Sequence, residues 1–165
     1  MFTQDQLDMD RIILGRHGDC KVVEAIREDI YSIYPFMRKI DQLEAACMGL
    51  TAKQSLIRGL NSDDLTLTAL DKNDVPFAMF GCGLVDGMGY IWCVGTDGIE
   101  DNSYNFIKAS RKWTQIMTKP YGVTFNFVHA ENKTAIKWLK FCKAQFINEL
   151  TFKNEPFFEF IIKST

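Results

Sequence analysis

The last third of the chain, residues 104–163, most constrains what the sequence can fold into. An amphipathic segment, Tyr104 to Lys119, leads into the apolar run VTFNFVHA. An asparagine, a short Trp-bearing helical pattern, a Phe-centred stretch and a closing aromatic strand, FFEFII, follow. The order reads helix, strand, helix, strand, strand. It places Asn132 at the C-terminal end of a strand and at the start of a helix. In open α/β sheets ligands sit at that end of the strands, and a helix N-terminus offers free N–H groups.

Upstream, RIILGR at 11–16 reads as a short first strand. Residues 19–34 read as a helix with Asp19 as N-cap and Val22, Val23, Ile26, Ile30 and Ile33 near helical spacing. Pro35 ends it. Asp41–Met48 and Ala52–Leu60 read as two short helices, with Gly49 and Thr51 as C-cap and N-cap. From Leu65 the pattern alternates. Residues 65–70 and the strand VPFAMFGCGL form a hairpin around DKND, VDGMG turns the chain again, and GYIWCVG is a third strand. A helix over Asp101–Lys119 closes at Pro120, VTFNFV is a central strand, and Thr134–Lys143 is a helix burying Ala135, Trp138, Leu139 and Cys142. FINELTF and PFFEFIIK pair around KNE. The expectation is one α+β (α/β) domain over residues 1–165. Its helical N-terminal part covers about 1–62 and its mixed sheet, of about six to seven strands, covers about 63–165, with helices on both faces.

Composition narrows the function classes. At 165 residues, 47% hydrophobic and 13% aromatic, the chain can bury a substantial core. No stretch approaches the roughly 18 to 20 apolar residues of a membrane span. The N-terminus, MFTQDQLDMDRII, is acidic and lacks a basic-then-apolar signal, so a soluble protein made in a cytoplasm is expected. The five cysteines, Cys20, Cys47, Cys82, Cys93 and Cys142, are scattered and form no CxxC. They read as reduced thiols, mostly buried. His17 and His129 have no cysteine at ligand spacing, so no metal is expected. Residues 1–105 carry 9 Lys+Arg against 17 Asp+Glu, and residues 106–165 carry 10 against 4. Lys108, Arg111, Lys112, Lys133, Lys137 and Lys140 would make a nucleic-acid patch only if two helices shared a face, and the overall charge makes that partner unlikely. No P-loop, Rossmann fingerprint or serine elbow is present.

The order helices, β-β-β, α, β, α, β-β resembles the GCN5-related N-acetyltransferase (GNAT) superfamily, most specifically from Leu65 onward. Its best local match is VHAENKTAIKWLKF, where Asn132 and Ala135 fit the superfamily pattern of a strand, an Asn, and an Ala three residues later. Phe146 stands two residues late for the usual Gly-Phe, with Gln145 in place of the Gly. Within the superfamily the chain is most similar to acetyltransferase-like proteins of short-tailed bacteriophages, internal virion proteins included. The shared texture is GYIWCVGTDG, the basic helix IKASRKWTQIM, FNFVHAENKTAIKWLKF and FFEFII.

The resemblance implies an acyl-CoA-dependent N-acyltransferase acting on an amine, free or on a protein. It implies acetyl-CoA in a V-shaped opening between strands 89–95 and 122–128. Trp92, Cys93 and Val94 would line the pantetheine arm, Gly95 and Gly98 would lie in the phosphate loop, and Asn132 would touch the cofactor from the other side. Two departures stand out. The loop GTDGIEDNSYN lacks the usual Gln/Arg lead and second close glycine, and sets Asp97, Glu100 and Asp101 where phosphates would lie. Leu139 stands where the superfamily's acidic Tyr would be. His129 and Asp86 are the candidates for a general base, Asp86 reading also as a turn residue. The alternative is a non-catalytic binding or virion-associated protein of this fold, with a degenerate CoA site and a phage or host protein as partner; the phage resemblance implies the cytoplasm of a bacterial host or the virion as its place.

Overall fold

The computed structural model describes residues 11–165. Residues 1–10, the bulk of the acidic N-terminal stretch, lie outside the described residues. The elements are β1 (Ile13–His17), β2 (Cys20–Glu24), α1 (Arg27–Ile33), a 3-10 turn (Tyr34–Phe36), α2 (Lys39–Cys47), α3 (Ala52–Ser62), β3 (Leu65–Leu70), β4 (Pro76–Val85), β5 (Met88–Gly95), α4 (Gly98–Asp101), α5 (Ser103–Thr118), β6 (Val123–His129), α6 (Lys133–Phe141), β7 (Gln145–Phe152) and β8 (Glu155–Lys163). Together they make a single α/β domain.

The strands form one 8-stranded mixed sheet in the order β1-β2-β3-β4-β5-β6-β8-β7. Neighbours are antiparallel except β5 and β6, which are parallel. Two cores flank the sheet. On one face α1 and α3 bury Ile30, Ile33 and Leu56 against Met79. On the other, α5 and α6 bury Ala109, Trp113, Met117 and Trp138 against Phe80, Ile91, Val128 and Phe160.

Two expected helices change. Residues 19–34 are not one helix: Cys20–Glu24 is a strand, and the helix starts only at Arg27. Gly18, with φ +61°, turns β1 back onto β2. Asp19, expected as an N-cap, sits in that turn. Val22 and Val23 are β-branched and pair with Ala69 and Thr68 of β3, so tertiary pairing overrides a spacing that also fits a helix. The hairpin carries the count to eight strands. The N-terminal part is therefore not wholly helical.

The expected helix over 101–119 is divided at Asn102, whose Nδ2 donates to the Gly98 carbonyl at 2.8 Å. The remaining elements fall where the sequence placed them, within a few residues. Asp86 (φ 50°) and Gly87 (φ 78°) form the turn between β4 and β5.

Candidate functional site

β5 and β6 pair only at Gly89–Thr124 and Tyr90–Phe125. Beyond that point they splay. Thr96 donates to the Phe77 carbonyl, which fixes the phase of the β4–β5 ladder. In that phase Tyr90, Trp92 and Val94 bond toward β4, while the backbone groups of Ile91, Cys93 and Gly95 point into the gap. The gap opens on a cavity of about 720 Å³ whose lining includes Met48, Leu50, Ile91, Cys93, Phe125 and Phe127.

Two carboxylates of α2 reach this gap. Asp41 and Glu44 are three residues apart and so share a helix face. Asp41 is ion-paired to Arg38 at 2.9 Å, and its Oδ2 accepts the Gly95 N–H at 3.0 Å. Glu44 Oε1 accepts the His129 N–H at 3.0 Å and the Asn132 Nδ2 at 2.9 Å. Among the described residues no hydrogen bond reaches Glu44 Oε2, and Glu44 lines the cavity. Burial pushes the Glu44 carboxyl up to about 7, against the pull of its hydrogen bonds to Asn132 and His129.

Each residue singled out from the sequence has a definite place. Asn132 is buried and caps α6, its Oδ1 accepting the Ala135 N–H at 3.3 Å, the contact behind the Asn132/Ala135 spacing. Arg38 approaches the same Oδ1 at 3.5 Å. Trp92 lies over Gly59 of α3, and its indole N–H donates to Asp63, which also accepts from the Tyr90 hydroxyl. Val94 packs with the α1/α3 core. Cys93 is reached from the cleft, although protein walls it in elsewhere. Desolvation, then Asp41, pushes its thiol up to about 12, so it stays protonated at neutral pH.

Gly95 and Gly98 are tied to the chain's own packing. A Cβ on Gly95 would stand 2.3 Å from Ile99, and one on Gly98 would stand 2.8 Å from Phe77. Gly98 N–H donates to Thr96 Oγ1, and the amides of Ile99, Glu100, Asp101 and Asn102 bond within the turn. These amides do not form a free phosphate cradle, and α4 is only 4 residues long. A CoA pyrophosphate does not fit this turn in the usual manner. Its pantetheine arm fits better, against the open backbone edge at Cys93.

His129 is buried with both ring nitrogens engaged. Nδ1 accepts the Glu131 N–H at 3.0 Å, so Nε2 carries the proton, 2.7 Å from Glu155 Oε2. Neither nitrogen is available to a substrate. Its backbone N–H, not its ring, serves the cleft. Asp86 lies on the tight turn at the cavity rim. Glu44 escaped the sequence reading, although the predicted helix over Asp41–Met48 already placed Asp41 and Glu44 on one face.

On the α5/α6 face, Arg111 lies 4.0 Å over the Phe141 ring and donates to its carbonyl, so the two lysine-bearing helices are neighbours. Among the described residues, no group of three or more His, Cys, Asp or Glu side chains is placed to hold a metal. Nor is any helix long and apolar enough to cross a membrane.

The fold is that of the GNAT acetyltransferases. A GNAT-family acetyltransferase from Bacillus anthracis superposes with a TM-score of 0.67 at 8% identity, covering 90% of this chain and 96% of that one. The ribosomal-protein-S5-alanine acetyltransferase of Vibrio fischeri gives 0.63 at 12% identity, covering 93% and 96%. The Vibrio cholerae spermidine N-acetyltransferase in complex with CoA and spermine gives 0.65 at 8% identity, covering 88% and 96%. Residues 75–151 match the family model described as bacteriophage T7, probable scaffold protein Gp13. No curated protein matches the sequence.

Proposed function

We propose that this protein is an acyl-CoA-dependent N-acyltransferase in which Glu44 is the general base. The observation that carries the reading is the splay of β5 from β6, which opens a cavity of about 720 Å³ lined in part by Glu44, whose Oε2 has no hydrogen-bond partner among the described residues. Acyl-CoA would supply the activated acyl thioester. The N–H and C=O of Cys93 would pair with its pantetheine arm as an added strand does. An amine must shed a proton to attack, and Glu44 Oε2 is the acceptor. A base poised near neutral pH does this best, because it is deprotonated often enough and still holds the proton once taken. The same carboxylic acid can return the proton to the departing sulfur, so Leu139 in place of a Tyr leaves no gap in the proton balance.

The acceptor class in this reading is a primary amine, free or on a protein. One of the similar structures, a spermidine N-acetyltransferase, holds CoA and spermine. Calorimetric titration with acetyl-CoA and with free CoA tests the donor half. A Kd below about 1 mM supports it, and no heat at millimolar ligand removes it. Glu44→Gln tests the catalytic half: kcat should fall about 10²- to 10⁴-fold with KM for donor little changed. Turnover unchanged in that variant removes Glu44 as the base.

A second reading has its own observation. The Gly95 backbone is bonded within the chain on both its N–H and C=O, and the amides of the following turn bond internally. A protein that keeps the fold but only binds a partner would look like this. The match over residues 75–151 supports association with a phage particle in that case. A pull-down that recovers a structural phage or host protein, together with no CoA binding, would favour it.

A further inference from the structure

We propose that α2, with the residues that lead into it, is a displaceable bracket that holds the C-terminal ends of β5 and β6 and occupies the edge a donor arm needs. The proposal rests on the acyl-CoA reading above. Gly95 ends β5 and His129 ends β6, the strands whose pairing stops at Tyr90–Phe125. Asp41 takes the N–H of Gly95, and Glu44 takes the N–H of His129. One helix face therefore fastens both strands across the gap.

The same segment covers the β5 edge. Met37 bridges Thr96, and the Arg38 N–H donates to the Gly95 carbonyl at 2.9 Å. Of the three residues whose backbone points into the gap, Gly95 is thus fully bonded. The Ile91 carbonyl accepts Asn126 Nδ2 at 2.7 Å. Cys93 is left between them. An extended ligand longer than one residue pair must displace residues 38–41 to run further along β5.

Three features suit the bracket to release. Arg38 and Asp41 are three residues apart on the same segment, so their ion pair travels with it and leaves no unpaired charge behind. Among the described residues, the bonds that must break are backbone bonds, the Asp41–Gly95 contact, the Glu44 contacts, the bond from Lys153 Nζ to the Ala46 carbonyl and the longer Arg38–Asn132 approach. Met37 is buried in the α1/α3 core and stays as the anchored end. Release would carry Glu44 away from His129 and Asn132, so donor entry and the placing of the base are coupled.

The test is calorimetric titration of acetyl-CoA into the full chain and into the double variant Arg38→Ala, Asp41→Ala, which removes both charges together. The bracket predicts a Kd at least about tenfold lower in the variant, the competing segment having been loosened. Equal Kd values overturn the bracket and leave the acyl-CoA reading intact. Amide exchange supplies a second measurement on the unaltered chain. The Arg38 amide should exchange faster when acetyl-CoA is added, and slower or unchanged exchange in a protein that binds the ligand overturns the proposal. No binding by either protein, with the backbone amide at position 38 exchanging freely in the variant, retires the acyl-CoA reading and the bracket's role with it.

Discussion

Asp29 and Glu44 are both acidic side chains on the N-terminal helices, Asp29 over β2 and β3 and Glu44 over the gap between β5 and β6. Asp29 is surrounded by donors. Arg11 grips it with two nitrogens at 3.0 and 2.8 Å, Thr68 donates at 2.7 Å, and the Ile26 N–H donates at 3.0 Å. Among the described residues, Glu44 has an amide side chain and one backbone N–H as partners, both on Oε1. A guanidinium repays much of what it costs to bury a carboxylate, whereas neutral donors repay less. The first arrangement locks α1 onto the sheet. The second leaves a carboxyl near neutrality with an oxygen facing the cleft. Burial alone does not separate a structural acid from a chemical one; the partner does.

Isosteric amide substitutions break or sharpen this contrast. The largest effect is expected from Asp29→Asn. It leaves the Arg11 guanidinium beside a neutral amide in a site where the arginine side chain is 10% exposed. Removing one partner of a buried pair costs about 3 to 5 kcal/mol. Urea unfolding at pH 7 measures it, and a loss under about 1 kcal/mol would show that Arg11 contributes little.

Glu44→Gln should act in the opposite direction, by an amount that grows from pH 4.5 to about 7 and is constant above it. The folded carboxyl holds its proton up to about 7, against an ordinary value of 4.5. Between those values the folded chain binds the extra proton, so stability falls as pH rises from 4.5 toward 7 and stays lower above it. Glutamine keeps both bonds to Oε1 and removes the charge. At pH 8 the variant should be more stable by about 1 to 2 kcal/mol, and at pH 4 the two proteins should be alike. Unfolding curves at the two pH values decide it. A variant less stable at pH 8 would mean the charge is favourable where it stands.

Much of this architecture was legible in the residues, and the exceptions share a cause. The Asn132 cap shows in the Asn–Ala spacing because a cap is a local contact, three residues long. The β3–β4–β5 meander shows in the alternation and in the DKND and VDGMG turns. Residues 19–24 were misread because Val22 and Val23 fit both periods, and only pairing to β3 decides between them. Glu44 was missed for a stronger reason. Its partners lie 85 and 88 residues away in the chain, and no local pattern announces them. His129 drew attention as an ionisable side chain at a strand end, but the structure uses its ring for Glu155 and its backbone for Glu44. The acidic turn at 97–101 was legible as a poor place for phosphates. That its amides bond among themselves was not.

Asp63 gives the mildest and most discriminating test of the contrast. It too lies under the helical layer with neutral donors only, the Tyr90 hydroxyl on one oxygen and the Trp92 indole on the other. Burial raises its carboxyl, as it does for Glu44. In Asp63→Asn the carbonyl oxygen can keep the indole N–H. The new NH₂ can donate to Tyr90, whose hydroxyl turns to accept. Both terminal atoms of the new side chain keep a partner, and a partly buried charge with no ion pair within 4 Å among the described residues is gone. The expected change at pH 7 is within about 1 kcal/mol of zero. Should Asp63→Asn instead cost as much as Asp29→Asn, the presence of a guanidinium would not be what separates the two kinds of carboxylate, and Glu44 would lose its standing as the exceptional one.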